Sequence, residues 1–414
     1  MTTDQSEFRM SRTEFVALIA MMFAVVAFSI DAMLPALPQI AADLTPDFPE
    51  RAPLIITTFV FGMGLGTFIA GPLSDAYGRK PVVLAGAFVY IFSSVVAWSA
   101  QSLEIMLIAR VCQGIGAAGP RIVSAAIIRD LFSGREMARI ISLALLIFTL
   151  VPAFAPALGA LIMMWSSWRG IFVAFMVFSI VSILWMWIRL PETLPKEDRR
   201  PLHVPLLWDA VRQIFAHPIV RLAIIVQTLC MAMLFTTLML VQPIYEHVYA
   251  RAESFPYWFG IVALLAGTAS LLNAVLVVRF GMRKLVTVTL GAQIILSGTF
   301  FVLDLDALPE PYGFGAFLIW QTCLFFQAGL TLGNLNALAM EPMGHIAGMA
   351  ASVVGAVATV LAAVIASPIG MLFDGTPHVL IGAVLILALT GFGLMRQMAK
   401  VEQSLPVNQP KPVE

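Results

Sequence analysis

Three ionisable residues lie where ionisable residues are scarce: Asp31, Arg110 and Arg121 each sit inside a long apolar stretch. A charge at bilayer depth costs about 3 kcal/mol on insertion scales, so such a residue defaults to function or to a partner. A carboxyl such as Asp31 can take up and release a proton. Arg110 supplies a fixed positive charge, and Gln113, one helical turn on, supplies both donors and an acceptor. Pro38 lies seven residues beyond Asp31, and Arg110 lies six residues beyond Glu104. At helical rise these separations are about 10 Å and about 9 Å, which puts the two charges at matching depth. Burial disfavours an ionised carboxyl, and a neighbouring cation favours it. The expectation is that Asp31 exchanges a proton while Arg110 or Gln113 tunes that exchange. The competing reading is a permanent ion pair that locks two helices. Arg121 has two equal readings: a cavity cation that draws an anionic or zwitterionic small molecule, or a side chain that snorkels to the cytoplasmic headgroups.

Other segments carry conformational rather than proton chemistry. In GPLSDAYGRKPV (71–82), Gly71 and Gly78 allow a tight turn, and Pro81 suits the first turn of a following helix. Asp75, Arg79 and Lys80 make that turn a charged hinge, or simply a solvated loop. In VPAFAPALGA (151–160), Pro152 and Pro156 each remove a helical hydrogen bond, and with Gly159 they permit a bend and close packing. Gln227, Gln242, Asn273, Gln321, Gln327, Asn334 and Asn336 serve mostly as interhelical hydrogen-bond groups, with Gln227 and Gln327 the candidates for facing a bound molecule. His203, His217, His247, His345 and His378 fall in loops or at span ends, and no HExxH, GxSxG or paired-Cys set is present. Neither a metal site, a cofactor nor an enzyme is expected, and the absence of a P-loop excludes direct ATP drive. Cys112, Cys230 and Cys323 lie in apolar runs and read as buried, unpaired thiols.

The elements that must position these residues follow from composition. Apolar residues make up 60% of the chain and charged residues 12%, against about 45–50% and about 25% in soluble domains. The lipid bilayer is the solvent that such a chain requires. Zero formal net charge argues against a nucleic-acid partner. Twelve runs are long enough to span, near 14–35, 52–73, 81–100, 104–128, 137–163, 168–189, 219–242, 256–278, 284–303, 313–337, 347–369 and 377–397. Starting in the cytoplasm and alternating, nineteen of the 24 Lys and Arg fall on the cytoplasmic side, as the positive-inside rule demands. Both termini are then cytoplasmic. The polar stretch 191–218 divides a first six-helix block (1–190) from a second (219–400), with a cytoplasmic tail at 401–414. VVRFGMRKLV (277–286) echoes the 71–82 turn one block later, which suggests two related halves with a small-molecule site between them. Hydropathy alone leaves a channel or an intramembrane enzyme as alternatives.

The ordered motifs add a resemblance. GPLSDAYGRKPV resembles motif A of the major facilitator superfamily, RVCQGIGAA (110–118) its motif B, and VPAFAPALGA motif C of its drug/proton antiporters. DAMLPALPQIAADL (31–44), RDLF (129–132), PETL (191–194) and NALAM (336–340) resemble the Bcr/CflA, bicyclomycin and chloramphenicol resistance type. The resemblance implies an all-α fold of twelve transmembrane helices in two pseudo-symmetric bundles, with the first and fourth spans lining a central cavity. It implies a gating network of Gly71, Asp75, Gly78, Arg79, Lys80, Arg129 and Asp130. It also implies proton-driven efflux of drug-like or amphipathic molecules by a monomer in a bacterial inner membrane, with the proton gradient as energy source. The alternative is a proton-coupled exporter or symporter of a sugar, nucleoside or amino acid. Three departures bear on the molecule carried. Arg121 stands one turn early, with Ala125 in the place where this type carries Arg; Val151 and Ala155 replace Gly in motif C; and the second-half echo lacks the acidic residue.

Overall fold

With no water in the hydrocarbon region, backbone N–H and C=O groups must pair within the segment, and a helix does this locally. The computed structural model describes residues 10–199, 202, 204–304 and 308–404, and every regular element among them is helical. The helices are α1 (Arg12–Asp31), α2 (Leu37–Leu44), α3 (Leu54–Tyr77), α4 (Arg79–Trp98), α5 (Leu103–Leu131), α6 (Gly134–Trp165), α7 (Trp168–Arg189), α8 (Val204–Ala216), α9 (Pro218–Pro243), α10 (Phe255–Phe280), α11 (Met282–Leu303), α12 (Tyr312–Met340), α13 (Ala347–Gly370) and α14 (His378–Ser404). Eleven helical stretches are long and apolar enough to cross a membrane, and α6, at 32 residues, is the twelfth long helix. Arg9, Arg200, His203, Lys411 and the tail beyond 404 lie outside the described residues.

Two halves assemble from these helices. In the first, α5 packs on α3 and α4, α1 on α6, and α4 on α7; in the second, α9 packs on α12, α13 and α14, α10 on α12, and α11 on α14. The halves meet where α3 packs on α13 and α6 on α10. Six spans separate α3 from α10 and α6 from α13, so the two contacts are exchanged by the symmetry that relates the halves. The short sequence echo is also real in the backbone. Gly78 (φ 103°, ψ 161°) and Gly281 (φ 77°, ψ 154°) adopt matching conformations, each ending one span and starting the next. This is a region of φ that favours glycine.

The structure departs from the sequence reading at three places. The first span does not run on to 35: it ends at Asp31 and passes through a 3₁₀ turn, Leu34–Ala36, into α2. Pro35 and Pro38 lack the N–H groups that would continue the ladder. The depth count through Pro38 assumed one unbroken helix, whereas Asp31 is the last residue of α1. The linker carries a helix, α8, which packs on α9 and α13. Of the three free cysteines only Cys230 is buried; Cys112 and Cys323 are exposed on their helices.

Candidate functional site

The close approach of three helices builds a polar cluster in an apolar bundle. An added Cβ on Gly114 would overlap the Phe59 carbonyl oxygen of α3, and one on Gly62 would overlap the Val111 carbonyl oxygen of α5. Gly116 and Gly86 bring α5 equally near α4. Small residues at these crossings let the backbones touch, which puts the fully buried Arg110 side chain within reach of its neighbours. Its Nε donates to the Ile55 carbonyl oxygen (3.0 Å), Nη2 to the Ser29 carbonyl oxygen (2.9 Å) and Nη1 to Gln113 Oε1 (2.5 Å). Its guanidinium also lies 4.4 Å from the Phe59 ring centroid, a favourable cation–π placement. Gln113 Nε2 donates to Ser94 Oγ (2.7 Å), and Ser29 and Tyr90 share a hydroxyl hydrogen bond of 2.6 Å.

The break after α1 makes this cluster possible. Met33 N bonds to the Ile30 carbonyl rather than to Ser29, which lies four residues back, so the Ser29 carbonyl is left for Arg110. A helix C-terminus is the negative end of its dipole, and a cation belongs there. Asp31, two residues further on, is 5% exposed and has no hydrogen-bond or ion-pair partner among the described residues. The permanent Asp31–Arg110 ion pair is therefore absent: Arg110 is satisfied by carbonyls, an amide and a ring instead. Ser29, Tyr90 and Ser94 were not anticipated; their only signal is a hydroxyl in an apolar run, which many membrane helices carry.

A second cluster lies at the ends of α3, α4, α5 and α7. Arg79 Nη1 meets Asp75 Oδ1 (2.5 Å) and Ser74 Oγ (2.8 Å), while Nε meets Asp130 Oδ2 (2.8 Å). The Arg79 side chain is only 8% exposed and that of Asp130 17%, so this pair is more costly to part than the solvated hinge the loop suggested. Arg129 is not part of this network; its guanidinium lies near Gly348 at the start of α13. Gly71 likewise faces Ser352 of α13. Glu192 of the PETL segment was missed. Its carboxylate accepts from Arg79 N (2.9 Å) and Lys80 N (3.0 Å), the first backbone donors of α4. Thr193 Oγ1 donates to Asp130 Oδ2, and Lys80 Nζ donates to the Trp187 and Leu190 carbonyls at the end of α7. Gly78 has no side chain to cap α4, so Glu192 supplies the cap from the far end of its own half. Glu192→Ala orphans two helix N-terminal donors and should lower stability by about 2 kcal/mol. Glu192→Gln, which keeps an acceptor, should lose about half of that, read as thermal unfolding in detergent. An unchanged midpoint for the alanine variant would refute the capping role.

Pro152 and Pro156 sit inside an α6 that continues through both. Gly159 presses on the Ala32 backbone just past the end of α1, and Gly260 of α10 packs against the Ala153 carbonyl (2.7 Å for an added Cβ). Gln227 and Gln327 are both buried, and each has an amide oxygen with no hydrogen-bond partner among the described residues. Asn334 and Asn273 bond across α12 and α10 (2.7 Å), and Tyr245, in the π-helical turn Ile244–Val248 after α9, bonds to Gln321 of α12 (2.9 Å). No group of three metal-ligating side chains occurs among the described residues.

Twelve long helices in two related halves, with a buried charge cluster beside the break in the first, define a membrane transporter fold. The sequence model of the Major Facilitator Superfamily matches residues 19–367, and the chain belongs to that family. A bicyclomycin resistance protein homolog of Haemophilus influenzae is 27% identical over 358 residues, covering 85% of this chain and 88% of that protein. The multidrug resistance protein MdtL of Citrobacter koseri is 30% identical over 329 residues, covering 79% of this chain and 80% of that protein. Among solved structures, a D-xylose–proton symporter superposes with a TM-score of 0.70 at 14% identity, over 93% of this chain and 97% of its own. The human organic anion transporter MFSD10 superposes with a TM-score of 0.61 at 17% identity, over 94% of this chain and 100% of its own. These two likenesses establish the fold. The chain is thus a multi-pass membrane transporter with bacterial relatives named for drug resistance.

Proposed function

We propose that this transporter exports drug-like or amphipathic small molecules across a bacterial inner membrane in exchange for protons. It works as a monomer with both termini in the cytoplasm and draws on no cofactor beyond the proton gradient. The observation that carries this reading is Asp31, a buried carboxyl at the last residue of α1 without a partner among the described residues. Two residues back, the Ser29 carbonyl is held by a buried cation that meets no carboxylate among the described residues. Proton binding at Asp31 removes a buried charge, and proton release restores one two residues along α1 from the carbonyl that this cation holds. The charge balance at the junction of α1, α3 and α5 therefore changes with each proton, and Gly159 couples this junction to α6. The Arg79–Asp130 cluster, with Asp75, Lys80 and Gly78, serves as the gate at the ends of α3, α4 and α5. The names of the bacterial relatives support a drug-like cargo. The second reading, a proton-coupled exporter or symporter of a dedicated metabolite, is favoured by Arg121, a cation inside α5 that no carboxylate among the described residues meets.

The test is proton movement in inside-out vesicles carrying an imposed pH gradient, with a compound panel added. At least one amphipathic compound is expected to discharge the gradient, and a protonophore to abolish its accumulation. If only a sugar, nucleoside or amino acid does so, the metabolite reading replaces export of drugs.

A further inference from the structure

Arg121 is a charge inside α5 that takes no part in the Arg110 cluster. Arg110 spends its donors on two carbonyls and an amide. The only polar contact of Arg121 among the described residues is from Nη1 to Met63 Sδ, at 3.8 Å. A thioether is a weak acceptor, and a guanidinium carries five N–H donors. The side chain is only partly buried although the residue lies well inside α5.

Its direction decides between the two sequence readings. Gly62 and Gly66 of α3 face Val111 and Ile115 of α5, and Gly114 of α5 faces Phe59 and Met63. This register sets Met63 level with Gly114, seven residues before Arg121 and so about 10 Å back along α5. Side chains lean towards the N-terminus of their helix, and Arg121 extends that way, away from the end of α5 that holds Asp130. A snorkelling arginine would reach for that nearer end. The guanidinium instead comes to the middle of the 29-residue helix. Met63 stands beside the seam between the halves, since its neighbour Gly64 packs on Val360 of α13. The middle of the bilayer at the junction of the halves is where transporters of this architecture take their cargo.

We infer that Arg121 anchors the cargo through an anionic group, so that the transported class is organic carboxylates, including zwitterions that expose a carboxylate. The inference rests on the chain being a transporter, not on the direction of transport. Planar, doubly hydrogen-bonded recognition is what arginine offers a carboxylate. No carboxylate of the described chain occupies it.

The probe is a matched set of fluorescent ligands, dansylglycine (anion), dansylamide (neutral) and dansylcadaverine (cation), titrated onto purified full-length protein in lipid nanodiscs. Dansylglycine should bind tightest. Arg121→Gln should weaken it by about tenfold or more while leaving dansylamide within about twofold, and Arg121→Lys, which keeps the charge but not the planar fork, should restore only part of the loss. Tightest binding of dansylcadaverine, equal weakening of all three probes by Arg121→Gln, an unchanged dansylglycine affinity, or no binding of any probe would each overturn the inference. Proton movement is scored separately in vesicles. A proton-coupled protein indifferent to the anionic probe sinks this inference alone, and an anion carrier that moves no protons sinks the coupling alone.

Discussion

Asp31→Asn should abolish accumulation driven by a pH gradient, by about a hundredfold or more, while substrate counterflow under no gradient stays measurable. The asparagine amide keeps the size and polarity of the protonated carboxyl but cannot release a proton. The variant therefore holds position 31 permanently in its uncharged condition. Nothing in the described structure depends on Asp31 for a hydrogen bond, so folding should be nearly unaffected. This separates the variant from one at Arg110, whose loss would strand the Ser29 carbonyl and the Gln113 amide oxygen in a buried site. The measurement is uptake in proteoliposomes with and without an imposed pH gradient, alongside counterflow. Gradient-driven transport at the wild-type rate would remove Asp31 from proton coupling.

The largest effect on stability should come from Gly114→Val. The new side chain must displace the α3 backbone at Phe59 and Met63, and neither is a flexible side-chain end. Overpacking usually costs about 1–3 kcal/mol, and a backbone-against-backbone clash belongs at or above the top of that range. The Arg110 cluster would suffer with it, because the Ile55 and Ser29 carbonyls are reached only while α5 lies against its neighbours. A sharp loss of monodisperse protein is expected on fluorescence-detected size exclusion after a heat step. Gly333→Ala in α12 is the control, since nothing lies within 4 Å of its added Cβ. Equal behaviour of the two variants would show that the α3–α5 crossing tolerates separation.

Much of this molecule was legible before folding. The apolar runs located the long helices to within a few residues at most ends, because a span is specified by its own composition. Gly78 and its echo at Gly281 were legible as paired turns, since a positive φ favours glycine whatever surrounds it. Apart from Glu192, the charged residues of the two clusters were named individually from their rarity inside apolar sequence or their place in a motif. Their membership of the Major Facilitator Superfamily was equally readable from the order of the motifs.

What the tertiary structure decided was which groups meet. Asp31 and Arg110 looked like partners by depth, yet the proline-driven end of α1 offered Arg110 a free carbonyl instead. Glu192 caps a helix more than a hundred residues earlier in the chain, and Arg121 turns towards the middle of α5 rather than the membrane face. A span is a local property of a residue run, and so the sequence determined it. A partner depends on helix register, on side-chain direction and on how closely glycines let two backbones approach, and those exist only once the helices have packed.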